Sequence, residues 1–157
     1  MDNFKIDFSK LEVNQLGFVF KDTEKQAEMM QNILGLPKFI FTEPVLIQYP
    51  QFRGRESQVT IQIATSRLGN TRIELIKWID GECSYKEFLD QGKEGLHHIA
   101  VYVDDADPYI EEFKKNGIGI LESGHYINVR FTYLDTEEKF GFIVELLEHI
   151  SRRKRKK

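Results

Sequence analysis

The chain has one cysteine, Cys83, among its 157 residues. That excludes a disulfide framework and any zinc cluster built on cysteines, and makes a reducing, cytoplasmic compartment the default expectation. Long apolar runs are missing too. Charges interrupt every hydrophobic stretch before it reaches the roughly 18 residues that span a bilayer, so no membrane partner is expected. The opening MDNFKIDFSK lacks a basic start followed by an apolar run, so no secretory signal is expected either. Histidine is scarce: there are four, and none precedes His97.

What is present is ordinary for one folded domain, with 41% hydrophobic and 30% charged residues. The length fits a single domain, 1–157, or a tight pair of half-domains within it. A net charge of −3 conceals an asymmetry, because the last six residues, Arg152 to Lys157, are all basic. The remainder carries 16 Lys and Arg against 25 Asp and Glu, a net −9. An acidic body does not suit nucleic acid. The segment 150–157 reads as a solvated basic tail, although its charge would also suit an anionic surface or an acidic partner.

Hydrophobic periodicity repeats itself. A strand over Val13–Phe20 leads through Asp22 and Thr23, either of which can cap, into a helix carrying Ala27, Met30, Ile33 and Leu34 at helical spacing. Gly35 ends that helix, with Pro37 just beyond. Extended stretches follow near Lys38–Thr42, Gln58–Thr65 and Thr71–Trp78, the last two joined by a turn at Leu68-Gly69-Asn70. From Gly95 the order returns: a strand Leu96–Val103, a helix Asp107–Asn116 closed by Gly117, and strands near Gly119–Glu122, Asn128–Leu134 and Phe142–Glu148. QLGFVFKDT aligns with HIAVYVDDA, and IELIK with VELLE. The fold class is therefore α+β, two tandem βαβββ modules over 11–80 and 94–149. Residues 43–57, with two prolines and Arg53-Gly54-Arg55, are too long for a plain connection and read as a lid or specificity loop.

Side chains alternate across a strand, so parity shows which residues share a face. Gln15, Gly17 and Val19 oppose Leu16, Phe18 and Phe20; His98, Ala100 and Tyr102 oppose Ile99, Val101 and Val103. One face of each strand is fully apolar. The other carries a small residue two places after a polar one, which implies a concave surface with open space above it. Glu74 and Glu145 lie on the matching faces of the closing strands. A strand His is ordinarily hydrogen-bonded packing and a strand Glu ordinarily solvated, but Gln15, Glu74, His98 and Glu145 occupy corresponding positions in two halves. Two facing buried carboxylates are costly unless one is protonated or a cation lies between them. An oxygen and nitrogen set of charge −2 suits a divalent ion nearer Mn, Co, Ni or Zn than a thiolate site.

The runs N-Q-L-G-F-V-F-K-D, L-G-N-T-R-I-E-L-I, G-L-H-H-I-A-V-Y-V-D-D and G-F-I-V-E-L-L, from about Glu12 to Glu148, resemble the vicinal oxygen chelate superfamily of glyoxalases, methylmalonyl-CoA epimerases, extradiol dioxygenases and bleomycin-resistance proteins. The epimerase branch is the nearest in pattern. The resemblance implies an open, cup-shaped mixed sheet with helices outside, a homodimer, and metal positions at Gln15, Glu74, His98 and Glu145. It also implies an isomerase or lyase acting on a small acyl substrate such as an acyl-CoA, with chelation stabilising an enolate while Glu145 moves the α-proton. Glu56 falls roughly where the family places a second base; by its position alone it reads as a solvated loop end. Arg53 and Arg55, flanking Gly54 in the long loop, read either as holding a carboxylate or phosphate over the cup or as solubilising charges. One departure stands out, because the family normally has His at the position of Gln15. That departure favours an alternative, a non-catalytic small-molecule-binding protein using the same cup. A lactoylglutathione lyase activity is a lesser variant, and an extradiol dioxygenase would want a second His. His97, of opposite parity to His98, reads as structural; His125 reaches towards the rim, and Trp78 and Tyr85 suit an apolar wall.

Overall fold

The computed structural model describes residues 6–150. The basic tail from residue 151 onward lies outside the described residues. After a 3-10 turn at Phe8–Lys10, the first half runs through β1 (Gln15–Val19), α1 (Thr23–Leu34) and β2 (Ile40–Phe41). Three short strands follow, β3 (Val45–Leu46), β4 (Gln48–Phe52) and β5 (Arg55–Glu56), and then the hairpin of β6 (Thr60–Leu68) and β7 (Thr71–Asp80). A linking helix α2 (Ser84–Asp90) leads to β8 (Gly95–Tyr102), α3 (Asp107–Lys115), β9 (Ile120–Tyr126), β10 (Val129–Leu134), α4 (Glu137–Phe140) and β11 (Ile143–His149).

Local chemistry accounts for the helix limits. Asp22 accepts the Lys25 N–H at the start of α1, and Gly35 ends it with φ 69°, a left-handed conformation that costs glycine little. Gly117, at φ 77°, follows α3 in the same way. Helix α1 buries Thr23 and Ala27 over Ala64, Ile73 and Leu75 of the sheet. Its last turn overhangs that patch, so Ile33 and Leu34, which the periodicity assigns to the apolar stripe, are 74% and 65% exposed. Ile110 and Phe113 of α3 pack over Val101, Leu134 and Leu146 in the second half.

All eleven strands belong to one mixed sheet in the order β2-β6-β7-β1-β8-β11-β10-β9-β4-β5, with β3 beside β6. The two modules therefore mirror one another about β1 and β8, which pair antiparallel, while β7 and β11 flank them in parallel. The architecture is α+β, tandem βαβββ modules curled into a cup with helices outside. Residues 43–57 are not a free lid. Val45 and Leu46 pair with Ile61 and Thr60 at one end of the sheet. Gln48, Gln51 and Phe52 pair with His125, Ser123 and Glu122 at the other. One segment, with Ile47 buried at its middle, straps the sheet's two ends together. Unpaired edge backbone explains why such a long connection is ordered.

Candidate functional site

The concave face encloses a cavity of about 400 Å³, lined on its polar side by Gln15, Arg72, Glu74, Tyr85, Tyr102, Tyr133, Glu145 and His149. Ile47, Ile61, Ile63, Phe131 and Leu147 supply the apolar wall. The register places Gln15 opposite Ala100, and His98 opposite Gly17. Each polar residue thus sits over the small residue of the other module. The space above Gly17 is not open, as its parity implied, but filled: a β-carbon there would lie 1.9 Å from His98 Cε1. Glycine at 17 is what lets the imidazole lie against the β1 backbone.

His97 departs from the parity expectation as well. The ladder shifts register between Gly17 and Phe18, so that Gly17 faces His98 and Phe18 faces Leu96. His97 is the extra residue of a β-bulge, which turns it to the same side as His98. The two Nδ1 atoms are 2.9 Å apart, and the His97 ring packs among Tyr85, Phe88 and Tyr133. Burial holds His97 neutral, its pKa well below the usual value, with the neighbouring His98 adding to the effect. A neutral His97 can accept a hydrogen bond from His98 Nδ1, which holds the His98 ring with its Nε2 towards Glu145.

The four residues meet in pairs. Gln15 Nε2 donates to Glu74 Oε2 at 2.6 Å. His98 Nε2 and Glu145 Oε2 lie 3.1 Å apart, but outside hydrogen-bond geometry, and neither buried atom has another partner. Among the described residues, no three His, Cys, Asp or Glu side chains converge closely enough to hold a metal in this arrangement. The donor chemistry nevertheless fits one: two carboxylates, an imidazole and an amide share one concave face, and two of their atoms are orphaned against each other. Burial pushes Glu74 up to about 7, with the Glu145 charge adding to it against the opposing pull of His98, Arg72 and Gln15. For His98, burial alone would lower the pKa, but Glu145, Glu74 and Glu122 together raise it above the usual range.

Two residues at the site, Glu122 and Tyr133, carried no sequence signal that singled them out, whereas Tyr85, read from the sequence as a wall residue, does line the cavity. Glu122 is 2% exposed on β9 and opposes Tyr133 in the ladder, which places it on the concave face. It accepts from the Ser84 backbone N–H at 3.1 Å and the Ser84 hydroxyl at 2.8 Å, and burial pushes it up to about 7. Tyr85 and Tyr133 share a 2.6 Å hydroxyl contact at the cavity wall. Strand parity from β10 could have flagged Glu122, but α2, which supplies Ser84 and Tyr85, has no counterpart in the repeat.

Three candidates lie elsewhere. Glu56 is exposed on β5, opposite Gln51, and faces a separate hollow with Arg55, Ser57 and Asp80. A turn at Arg53-Gly54 folds β5 back outside β4, and so carries Glu56 and Arg55 to the outer edge of the sheet. Arg53 donates to both carboxylate oxygens of Glu87 on α2. None of the three lines the cavity. Trp78 also lies off it and donates to the Gly81 carbonyl at 2.8 Å. His125 belongs to β9 itself and meets the Tyr49 ring edge-on.

Comparison with known proteins agrees with this geometry. The family described as the Glyoxalase/Bleomycin resistance protein/Dioxygenase superfamily matches residues 14–133. Human mitochondrial methylmalonyl-CoA epimerase is 26% identical over 138 residues, covering 85% of this chain and 72% of that protein; the bovine protein is 25% identical over the same span. Among solved structures, a hypothetical protein from Bacillus halodurans superposes with a TM-score of 0.63 at 19% identity, covering 88% of this chain and 94% of the other. Methylmalonyl-CoA epimerase from Mycobacterium tuberculosis does so with a TM-score of 0.62 at 19% identity, covering 88% and 87%. The mirrored modules, their shared concave cavity and the match across most of the chain make this protein a member of the Glyoxalase/Bleomycin resistance protein/Dioxygenase superfamily.

Proposed function

We propose that the chain is an isomerase of the epimerase type, moving the α-proton of a small acyl substrate such as an acyl-CoA. The observation that carries this reading is the placement of Glu74 and Glu145 on β7 and β11, which flank the central strand pair on opposite sides of one cavity. A carbon acid bound between them meets a carboxylate from each side. Glu145 is the base on one side. Glu56 lies off the cavity, so Glu74, oriented by the Gln15 amide, is the group that returns the proton on the other. A carboxyl group at about 7 is matched to proton transfer near neutrality. His98 steadies the Glu145 carboxylate, and His97 fixes the His98 ring.

Gln15, Glu74, His98 and Glu145 are the residues that would hold a divalent cation (Co, Ni, Mn or Zn). When bound, such an ion supplies positive charge to an enolate oxygen. A homodimer and a cytoplasmic setting belong to the same proposal. The buried Cys83 is in keeping with a reducing compartment, while the human relative carries a mitochondrial name. No helix among the described residues is long and apolar enough to cross a membrane.

The test is solvent deuterium incorporation at the α-carbon of methylmalonyl-CoA and related acyl-CoAs, with and without added cation. Incorporation that Glu145→Gln lowers by about 10²-fold or more supports the reading. Absence of exchange in every cation-loaded state overturns it. Elemental analysis of tag-free protein beside the His98→Ala variant reports the cation separately. A second reading, a binding protein without turnover, is favoured by the placement of the four polar residues, which stand as two pairs instead of converging on one point. Saturable acyl-CoA binding with no exchange would decide for it.

A further inference from the structure

The hairpin of β6 and β7 sets Arg67 directly opposite Arg72. Arg72 lines the cavity, as do Ile61 and Ile63 of β6 and Glu74 of β7, and strand alternation puts Arg67 on that same face. Both arginines are exposed. Among the described residues neither guanidinium makes a side-chain hydrogen bond or an ion pair within 4.0 Å. Like charges facing each other across a ladder destabilise a hairpin unless something lies between them. Across the rim, Tyr102 stacks on His149 with ring centroids 4.8 Å apart, and Asn128 adds an amide. The cavity's acidic lining residues lie deeper: Glu145 is buried and Glu74 partly so, whereas Arg72, two residues before Glu74 on β7, is exposed. Polarity thus divides the cup into an acidic centre and a rim rich in hydrogen-bond donors.

We propose that Arg67 and Arg72 form an oxyanion site at the rim, taking a carboxylate or phosphate of the substrate while its reacting carbon lies between Glu74 and Glu145. The orientation rests on the reading of the cavity given above; the anion site does not. Guanidinium forks match planar or tetrahedral oxyanions bidentately, and two of them opposite each other favour an anion over a neutral acyl group. This assigns to the β6–β7 hairpin the role that the sequence suggested for Arg53 and Arg55. Arg53 is already committed to Glu87.

The test uses the full chain and its arginine Nε–H resonances, titrated with malonate, inorganic phosphate and coenzyme A at millimolar concentrations. Affinities for propionyl-pantetheine and malonyl-pantetheine, which differ by one carboxylate, are measured in parallel. The expected result is a shift of the Arg67 and Arg72 resonances, with the malonyl ligand binding about tenfold tighter than the propionyl one if the anion is a carboxylate. Response to phosphate and coenzyme A without preference for the malonyl ligand identifies the carrier's phosphate instead. In the Arg67→Gln/Arg72→Gln double variant the shift or preference disappears, whereas Lys115→Gln leaves it intact. Unmoved resonances with all three anions, or a preference that survives in the double variant, overturn the site. Arginine shifts without any α-proton exchange would retire the isomerase and leave the site standing; exchange without arginine shifts would do the reverse.

Discussion

Gly17 and His98 occupy one volume between them, which makes the residue at 17 decisive for the cup's centre. Gly17→Ala is expected to displace the imidazole and cost about 1–3 kcal/mol in urea unfolding. Gly119→Ala, where a β-carbon meets nothing within 4 Å, should change little. Glu122 offers a second test at this scale. Its folded pKa of about 7 lies above the ordinary 4.5, so the native state holds the proton more tightly than the unfolded one. Stability from this group is therefore present below about pH 4.5 and is lost as pH rises to about 7, by an amount on the order of 2–3 kcal/mol. Glu74 acts in the same direction, whereas neutral His97 opposes both by losing stability as pH falls below its ordinary 6.5. The wild-type slope is thus mixed, and the comparison with Glu122→Gln, whose profile should be flatter between pH 4.5 and 7, isolates the carboxyl.

Among the elements, the strap of β3, β4 and β5 has a weak point. It carries positive φ at Tyr49 and Arg53, both 51°, where a side chain is strained. Its contact with β9 depends on Gly124, because a β-carbon there would lie 2.8 Å from Ile47 and 2.9 Å from Phe131. Gly124→Ala should loosen the strap, raising amide exchange over residues 48–52 while β1 and β8 stay protected. Arg53→Ala, removing a half-exposed ion pair, should cost no more than about 1 kcal/mol by thermal unfolding. Elements with strong periodicity were legible: α1, α3, β1, β7, β8 and β11 fall where alternation and helical spacing put them. The strap, α2 and α4 were not, since short irregular segments are held by backbone pairing with distant partners and leave no local period.

For the whole molecule, the β1–β8 ladder is, among the described residues, the only join between the mirrored modules within the sheet apart from the strap. A fragment covering 11–80 would expose β1 along its full length and lose the β9 partner of β4. It is expected to be unfolded or self-associated, as read by circular dichroism and sedimentation. Occupancy of the cavity should tie the halves together, so a bound divalent cation is expected to raise the unfolding midpoint in wild type and not in His98→Ala.

Alternation and repetition alone identified the tandem modules, the apolar faces and the four polar positions of the cup, because those properties depend on residues a few places apart. Tertiary structure decided what lies around them. A one-residue bulge at His97 reversed a parity that counting along the chain cannot detect. The fold-back at Gly54 carried Arg55 and Glu56 to the outer edge, and Arg53 was drawn to Glu87. Glu122 became part of the cup because α2 delivers Ser84 to it. Each of these outcomes depends on how strands distant in sequence pair and curl, so no local pattern records them.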